Sequence, residues 1–276
     1  MRETNPVAPQ RPRLPGDPFS RDAVQRRREM VIVGRPFWED LPGLFAYPVT
    51  GGGWIKIALS SCFFALIFLI LKNMANFGLG GALLGLILST GFLGYILNFL
   101  LSVTRRTTTH PDDKDPPGWP DFRGFLDQAS NFARIFTISI VPILAPVVAY
   151  AVASWSVSWS PNPFVMGLVL LPGFFYMPMA LLVFAVSDNT FDALNPLLVF
   201  GSIFRCGGPY LIAVPFVFLI LVLFVLAVIV SGYFPFSSIL FYCFGFYFSM
   251  VVFRLLGLLY LQCQVRLGWF EDARNA

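Results

Sequence analysis

Asp112, Asp113 and Asp115 are the densest set of potential ligands in the chain, three carboxylates that could hold a divalent cation through oxygen. Lys114 stands among them, and Pro111, Pro116 and Pro117 flank them. That company reads as an ordinary solvated loop. The single histidine, His110, cannot anchor a multi-histidine centre. The four cysteines, at 62, 206, 243 and 263, show no CxxC or Cys/His spacing. Cys62 and Cys243 lie inside apolar runs and read as small apolar fillers. No HExxH, GxSxG or phosphate-binding glycine loop occurs, and no carboxylates pair at helical spacing inside an apolar run. The expectation is a protein with no catalytic residues, no metal and no cofactor. One charge is out of place. Arg254 sits within an apolar run, about seven residues or roughly 10 Å from its end. Its side chain could snorkel most of that distance or pair with Asp188. A gate or substrate contact is the functional alternative.

The elements that must position these groups follow from composition. Of 276 residues, 57% are hydrophobic and 12% charged, against roughly 45–50% and about 25% in globular chains. So few charges cannot cover a soluble fold, and 31 Phe argue against disorder. The first thirty residues are polar, so no cleavable signal peptide is expected. The net charge of +4 suits an anionic lipid surface better than nucleic acid.

Six apolar blocks have bilayer-crossing length, at 54–71, 77–103, 132–155, 164–186, 210–230 and 236–261. Lipid forces such segments to be helical. Basic residues set their orientation. The tail carries Arg2, Arg11, Arg13, Arg21, Arg26, Arg27, Arg28 and Arg35. Further basic residues are Arg105, Arg106, Lys114 and Arg123 after block two, Arg205 after block four, and Arg266 and Arg274 at the end, with Lys72 as the exception. Six helices with both termini cytoplasmic satisfy this pattern. The organisation is then a cytoplasmic Pro/Arg-rich tail (1–36), a six-helix membrane domain (37–265) and a cytoplasmic C-terminal tail (266–276).

Amphipathic stretches at 37–47, 121–136 and 190–204 precede the three hairpins. They suggest an all-α membrane fold of three hairpins, each entered by an interfacial cytoplasmic helix. Asp121 is the expected cap of the second. In the tail, Pro6, Pro9, Pro12, Pro15 and Pro18 repeat every three residues, the period of a polyproline II helix. Arg26, Arg27 and Arg28 would meet lipid headgroups or a partner. Gly81, Gly85 and Ser89 form a small-residue face for close helix packing. Pro142 and Pro146 in block three, and Pro172 and Pro178 in block four, are kink sites, and such broken helices line a transport path in some carriers.

Several short motifs point to a family. Residues 46–57 (AYPVTGGGWIKI), 94–100 (GYILNFL), 117–122 (PGWPDF), 177–185 (MPMALLVFA) and 192–196 (DALNP) resemble domain-of-unknown-function family 4013, over about residues 37–265. The resemblance implies a bacterial or archaeal cytoplasmic membrane and six helices in hairpins. That family has no established activity, so no residue role comes with it. The sequence favours a non-catalytic integral membrane protein that scaffolds or accompanies a larger membrane complex, its partners being the bilayer and other membrane subunits or itself. The alternative is a transporter or permease-like subunit for a neutral or lipid-like solute.

Overall fold

A computed structural model describes residues 39–269, apart from 40, 75, 77, 112, 114, 120–123, 157–161, 234–236 and 268. The Pro/Arg-rich tail with Arg26, Arg27 and Arg28, the capping role of Asp121, and most of the C-terminal tail lie outside the described residues. Among those described, the fold is about 90% helical with no strand.

The apolar runs become long helices because a continuous run without caps has no reason to stop. In chain order they are α1 (Leu41–Ala46), α2 (Gly53–Met74), α3 (Gly78–Thr109), α4 (Phe125–Ser156), α5 (Pro163–Ser187), α6 (Thr190–Leu194), α7 (Pro196–Cys206), α8 (Gly208–Ser231) and α9 (Ser237–Leu267). A 3₁₀ turn, Tyr47–Val49, follows α1. Five of these helices are long and apolar enough to cross a membrane, over Gly78–Thr109, Phe125–Trp155, Phe164–Ser187, Gly208–Val230 and Ile239–Gln264. This is consistent with a multi-pass membrane protein. The surface agrees: α8 exposes Leu211, Leu219, Val222, Val225, Leu226 and Ile229, a dense apolar face of the kind that lipid covers.

Caps explain the breaks between α5 and α8. Asn162, Asn189 and Asn195 each accept a backbone N–H at the start of α5, α6 and α7, and Pro follows Asn162 and Asn195 at the first helical position. The 192–196 stretch is thus a helix stop followed by a capped restart. Asp188 ends α5 in the left-handed region, at φ 56°.

The three amphipathic stretches part company here. The first forms α1 and its turn, and the third forms α6 and α7. The second is no separate helix, since from Phe125 it is simply the start of the 32-residue α4. Nothing between Phe125 and Phe136 interrupts it, as neither Pro nor Gly occurs there.

Helix α9 is the centre of the bundle and packs against α2, α3 and α8. It runs parallel to α3, because contacts ascend together along both: Phe99 with Phe246, Thr104 with Phe253, Thr107 with Gly257. Thr104 donates to the Phe253 carbonyl at 2.8 Å. A Cβ on Gly257 would stand 2.6 Å from the Thr107 side chain, so glycine there sets the approach of the two helices.

Candidate functional site: a cation-latched strap

Among the described residues that follow α3, His110, Pro111, Asp113 and 115–119 form a non-helical segment that several helices hold. It leaves the end of α3 and turns back along that helix. Trp119 stacks on Tyr95 at 5.8 Å between centroids and packs against Phe99 at 4.7 Å and Phe246 at 6.2 Å. From Thr109 back to Tyr95 is about 20 Å of helix. Pro116 and Pro117 are buried. The expected solvated loop is therefore a docked strap.

Docking creates a polar problem with a particular shape. Proline has no N–H, so this strap is rich in acceptors and poor in donors. Buried carbonyls need partners. Two cations supply them, and a third pairs with a carboxylate of the strap. Lys56 of α2 donates to the Pro116 and Pro117 carbonyls at 2.8 and 2.6 Å. Arg254 of α9 donates to the Asp113 and Pro111 carbonyls at 3.0 and 3.3 Å. Arg106 of α3 pairs with the Asp113 carboxylate, its Nε lying 2.9 Å from Oδ2.

Arg254 is 9% exposed, so its charge is shared with protein rather than water. Its guanidinium carbon lies 3.9 Å above the Tyr47 ring, a cation–π geometry. Burial raises the Tyr47 pKa, with Arg254 acting in the opposite direction, so the phenol is neutral at ordinary pH. Close by, Tyr247 donates to the Phe45 carbonyl at 2.7 Å and ties α1 to α9. The expected pairing of Arg254 with Asp188 is not what forms. Asp188 is taken by Arg105 at 3.0 Å, while Arg254 turns to the strap, whose return brings carbonyls within its reach.

The hydrogen bonds from Arg106, then that from the Asp115 N–H, hold the Asp113 pKa below its ordinary value. A lowered pKa stabilises the fold above the unfolded-state value of about 3.9 and loses that contribution as pH falls through the folded value. Acidification below about pH 4 is therefore expected to loosen the strap, and Asp113→Asn is expected to flatten this response. Trp119 fluorescence against pH would show it.

The other sequence candidates are placed as follows. Gly85 is buried, and Gly81 and Ser89 are half-buried. Ser89 donates to its own helix, to the Leu86 carbonyl at 2.8 Å. The tightest described approach of α3 to α4 lies one turn further on, where a Cβ on Gly94 would overlap the Gln128 backbone carbonyl and one on Gly91 would meet the Phe125 ring. Pro142, Pro146, Pro172 and Pro178 all lie inside continuous helices. At Pro142 the α4 and α5 backbones touch, since a Cβ on Gly173 would be 2.7 Å from the Pro142 carbonyl oxygen. Among the described residues no group of three or more His, Cys, Asp or Glu is placed to hold a metal ion.

Sequence reasoning did not find Tyr47, Lys56 and Trp119 as parts of one site. The available signal was a tryptophan inside a Pro-rich polar loop. It also missed the disulfide between Cys206 and Cys263, 57 residues apart with Cα atoms at 5.2 Å. This bond fastens the end of α7 to α9. Arg205 donates to the Leu267 carbonyl at 3.4 Å and Arg266 to the Cys206 carbonyl at 3.2 Å, closing the same corner. A loop of that length carries a chain-entropy effect of up to about 4 kcal/mol. Cys206→Ser is expected to lower thermal stability, and the unaltered protein is expected to show two free thiols without reductant and four after denaturing reduction.

Compared with known proteins, the chain matches no family model, no curated protein and no solved structure.

Proposed function

We propose that this protein is a non-catalytic, multi-pass membrane scaffold or accessory subunit whose strap-bearing face holds a partner subunit or a second copy of the chain. In this reading α2 is a sixth span, the six spans form three hairpins, and both termini face the cytoplasm of a bacterial or archaeal inner membrane. The 22-residue length of α2 and the basic loops support that threading, and the motif resemblance supports the membrane.

The latched strap carries the functional reading. Lys56 near the start of α2, Arg106 near the end of α3 and Arg254 in the middle of α9 all bind it, so three helices are tied to one another through the strap. Such a cross-tied bundle suits a platform. Alternating access would require these helices to move apart and break these partly buried hydrogen bonds in every cycle. The Pro142–Gly173 contact supports the same view, because the two proline-bearing helices close on each other where a solute path would need room.

Affinity purification from native membranes in mild detergent tests the role. A stoichiometric partner or a defined homo-oligomer supports it. A lone monomer, whose deletion leaves membrane complexes intact, would count against it. Solute flux in liposomes, lost on Pro146→Ala or Pro178→Ala with the protein still folded, would favour the transporter reading.

The orientation has its own test. Disulfides are rare in a reducing cytoplasm, and the charge pattern puts Cys206–Cys263 on that side. Thiol trapping in intact cells together with topology reporters at both ends reads the two together. An oxidised pair with external termini would overturn the proposed threading.

A further inference from the structure

We infer that the corner formed by α7, the start of α8 and the end of α9 binds an anionic phospholipid, with Arg205 and Arg266 on the headgroup phosphate and the outer edge of α7 on the acyl chains. This needs the chain to lie in a bilayer but not the scaffold role.

Helix α7 has 11 residues, about 16 Å, too short to cross a membrane. One side is buried through Val199, Ser202 and Cys206. The other is also apolar. Leu197 is 84% exposed and Phe204 81%, with Phe200 between them on the same stripe, and Phe191 of α6 is 83% exposed. Positions 197, 200 and 204 share one helical face. Three aromatic rings and a leucine left in water would each forfeit about 1.5–3 kcal/mol of burial. Leu211 and Ile212, in the first turns of the following helix α8, are exposed as well. An exposed apolar stripe beside two cations, next in sequence to a long apolar helix, suits an anionic lipid as occupant better than a protein.

The charge beside it is complementary to an anionic headgroup. Each arginine spends one N–H on a backbone carbonyl at the tip of the neighbouring helix, which fixes the two guanidinium groups at one corner with donors to spare. Among the described residues neither has a carboxylate at ion-pair distance. The 24-residue α8 begins at the same place behind Gly207, which offers no side-chain cap; the positive end of its dipole offsets part of the negative ends of α7 and α9 that meet there, so the positive charge of the corner is that of the two guanidinium groups. Guanidinium groups favour phosphate through forked hydrogen bonds.

The test uses the full chain in mixed vesicles of phosphatidylglycerol and phosphatidylcholine with identical acyl chains. After detergent extraction, retained lipid is measured by native mass spectrometry. Phosphatidylglycerol is expected to be enriched roughly tenfold on the protein, equivalent to about 1.4 kcal/mol, and the double variant Arg205→Gln/Arg266→Gln to fall near parity. Arg205→Lys/Arg266→Lys is expected to keep part of the preference. A photoactivatable phosphatidylglycerol should label peptides within 197–211 of the unaltered protein, a readout that needs no variant to fold. Unchanged enrichment in the double variant, labelling only elsewhere, cross-linking of the stripe to a protein, or displacement of the lipid by millimolar inorganic phosphate would each overturn the inference. Absence of a partner subunit would leave it standing.

Discussion

Arg254→Ala is expected to be among the most damaging single substitutions in the chain. The loss has three parts. The Pro111 and Asp113 carbonyls lose their donor, at about 1–3 kcal/mol each if they stay buried. The Tyr47 ring loses its cation, worth about 2 kcal/mol when desolvated. The space left by the side chain adds to both. The strap can recover part of this by undocking and rehydrating, so the net cost is expected at about 3–5 kcal/mol, or a Tm lower by on the order of 10 °C. Arg254→Lys keeps the charge but not the fork that reaches two carbonyls, and is expected to recover less than half. Arg254→Met keeps much of the volume and removes the charge. If Met matched the native protein in thermal melts, the carbonyl-binding role assigned to Arg254 would be wrong.

Gly94→Ala is the second large effect, and its sign is the informative part. Alanine favours a helix over glycine by roughly 0.5–1 kcal/mol, so an unconstrained position should gain. At Gly94 the new methyl overlaps the Gln128 backbone carbonyl, and backbone cannot step aside as a side chain can. Helices α3 and α4 must separate, with an overpacking cost of about 1–3 kcal/mol or more. Gly91→Ala meets the Phe125 ring first, a side chain that can rotate away, and is expected to cost less. Gly80 is exposed with nothing near a Cβ, so Gly80→Ala is expected to be neutral or stabilising. The order Gly80, Gly91, Gly94 in thermal melts, from best to worst, is the expected result.

Much of the architecture was legible because lipid-facing helices leave a local signature. A 20-residue apolar run needs no distant partner to identify it, and five of the six blocks correspond to helices of spanning length and composition. Local periodicity also marked 190–204, where Asn195 and Pro196 supply a stop and a cap. It misjudged 121–136, because an amphipathic pattern does not say whether a helix ends before the span or runs into it.

The strap was not legible for a different reason. Its polarity is local, whereas its docking is not. Lys56 meets Pro116 across 60 residues, Arg254 meets Pro111 across 143, and Trp119 reaches Phe246 on another helix. Arg254 was conspicuous as a deep charge, but Asp188 was the natural carboxylate to assign to it. A reading that looks for ion pairs overlooks proline carbonyls as the groups in need of a cation. The Cys206–Cys263 bond was hidden in the same way, since nothing in the spacing of four scattered cysteines selects one pair.

The docked strap is the claim on which the site and the proposed platform rest. The most direct measurement keeps Trp119 as the sole tryptophan, with the other five replaced by Phe, and records its emission and quenching by a water-soluble quencher in lipid vesicles at neutral pH. A blue-shifted emission protected from quencher, shifting red and becoming quenchable on Arg254→Ala, is the expected result. Solvent-like, freely quenched Trp119 in the protein with Arg254 intact would contradict it.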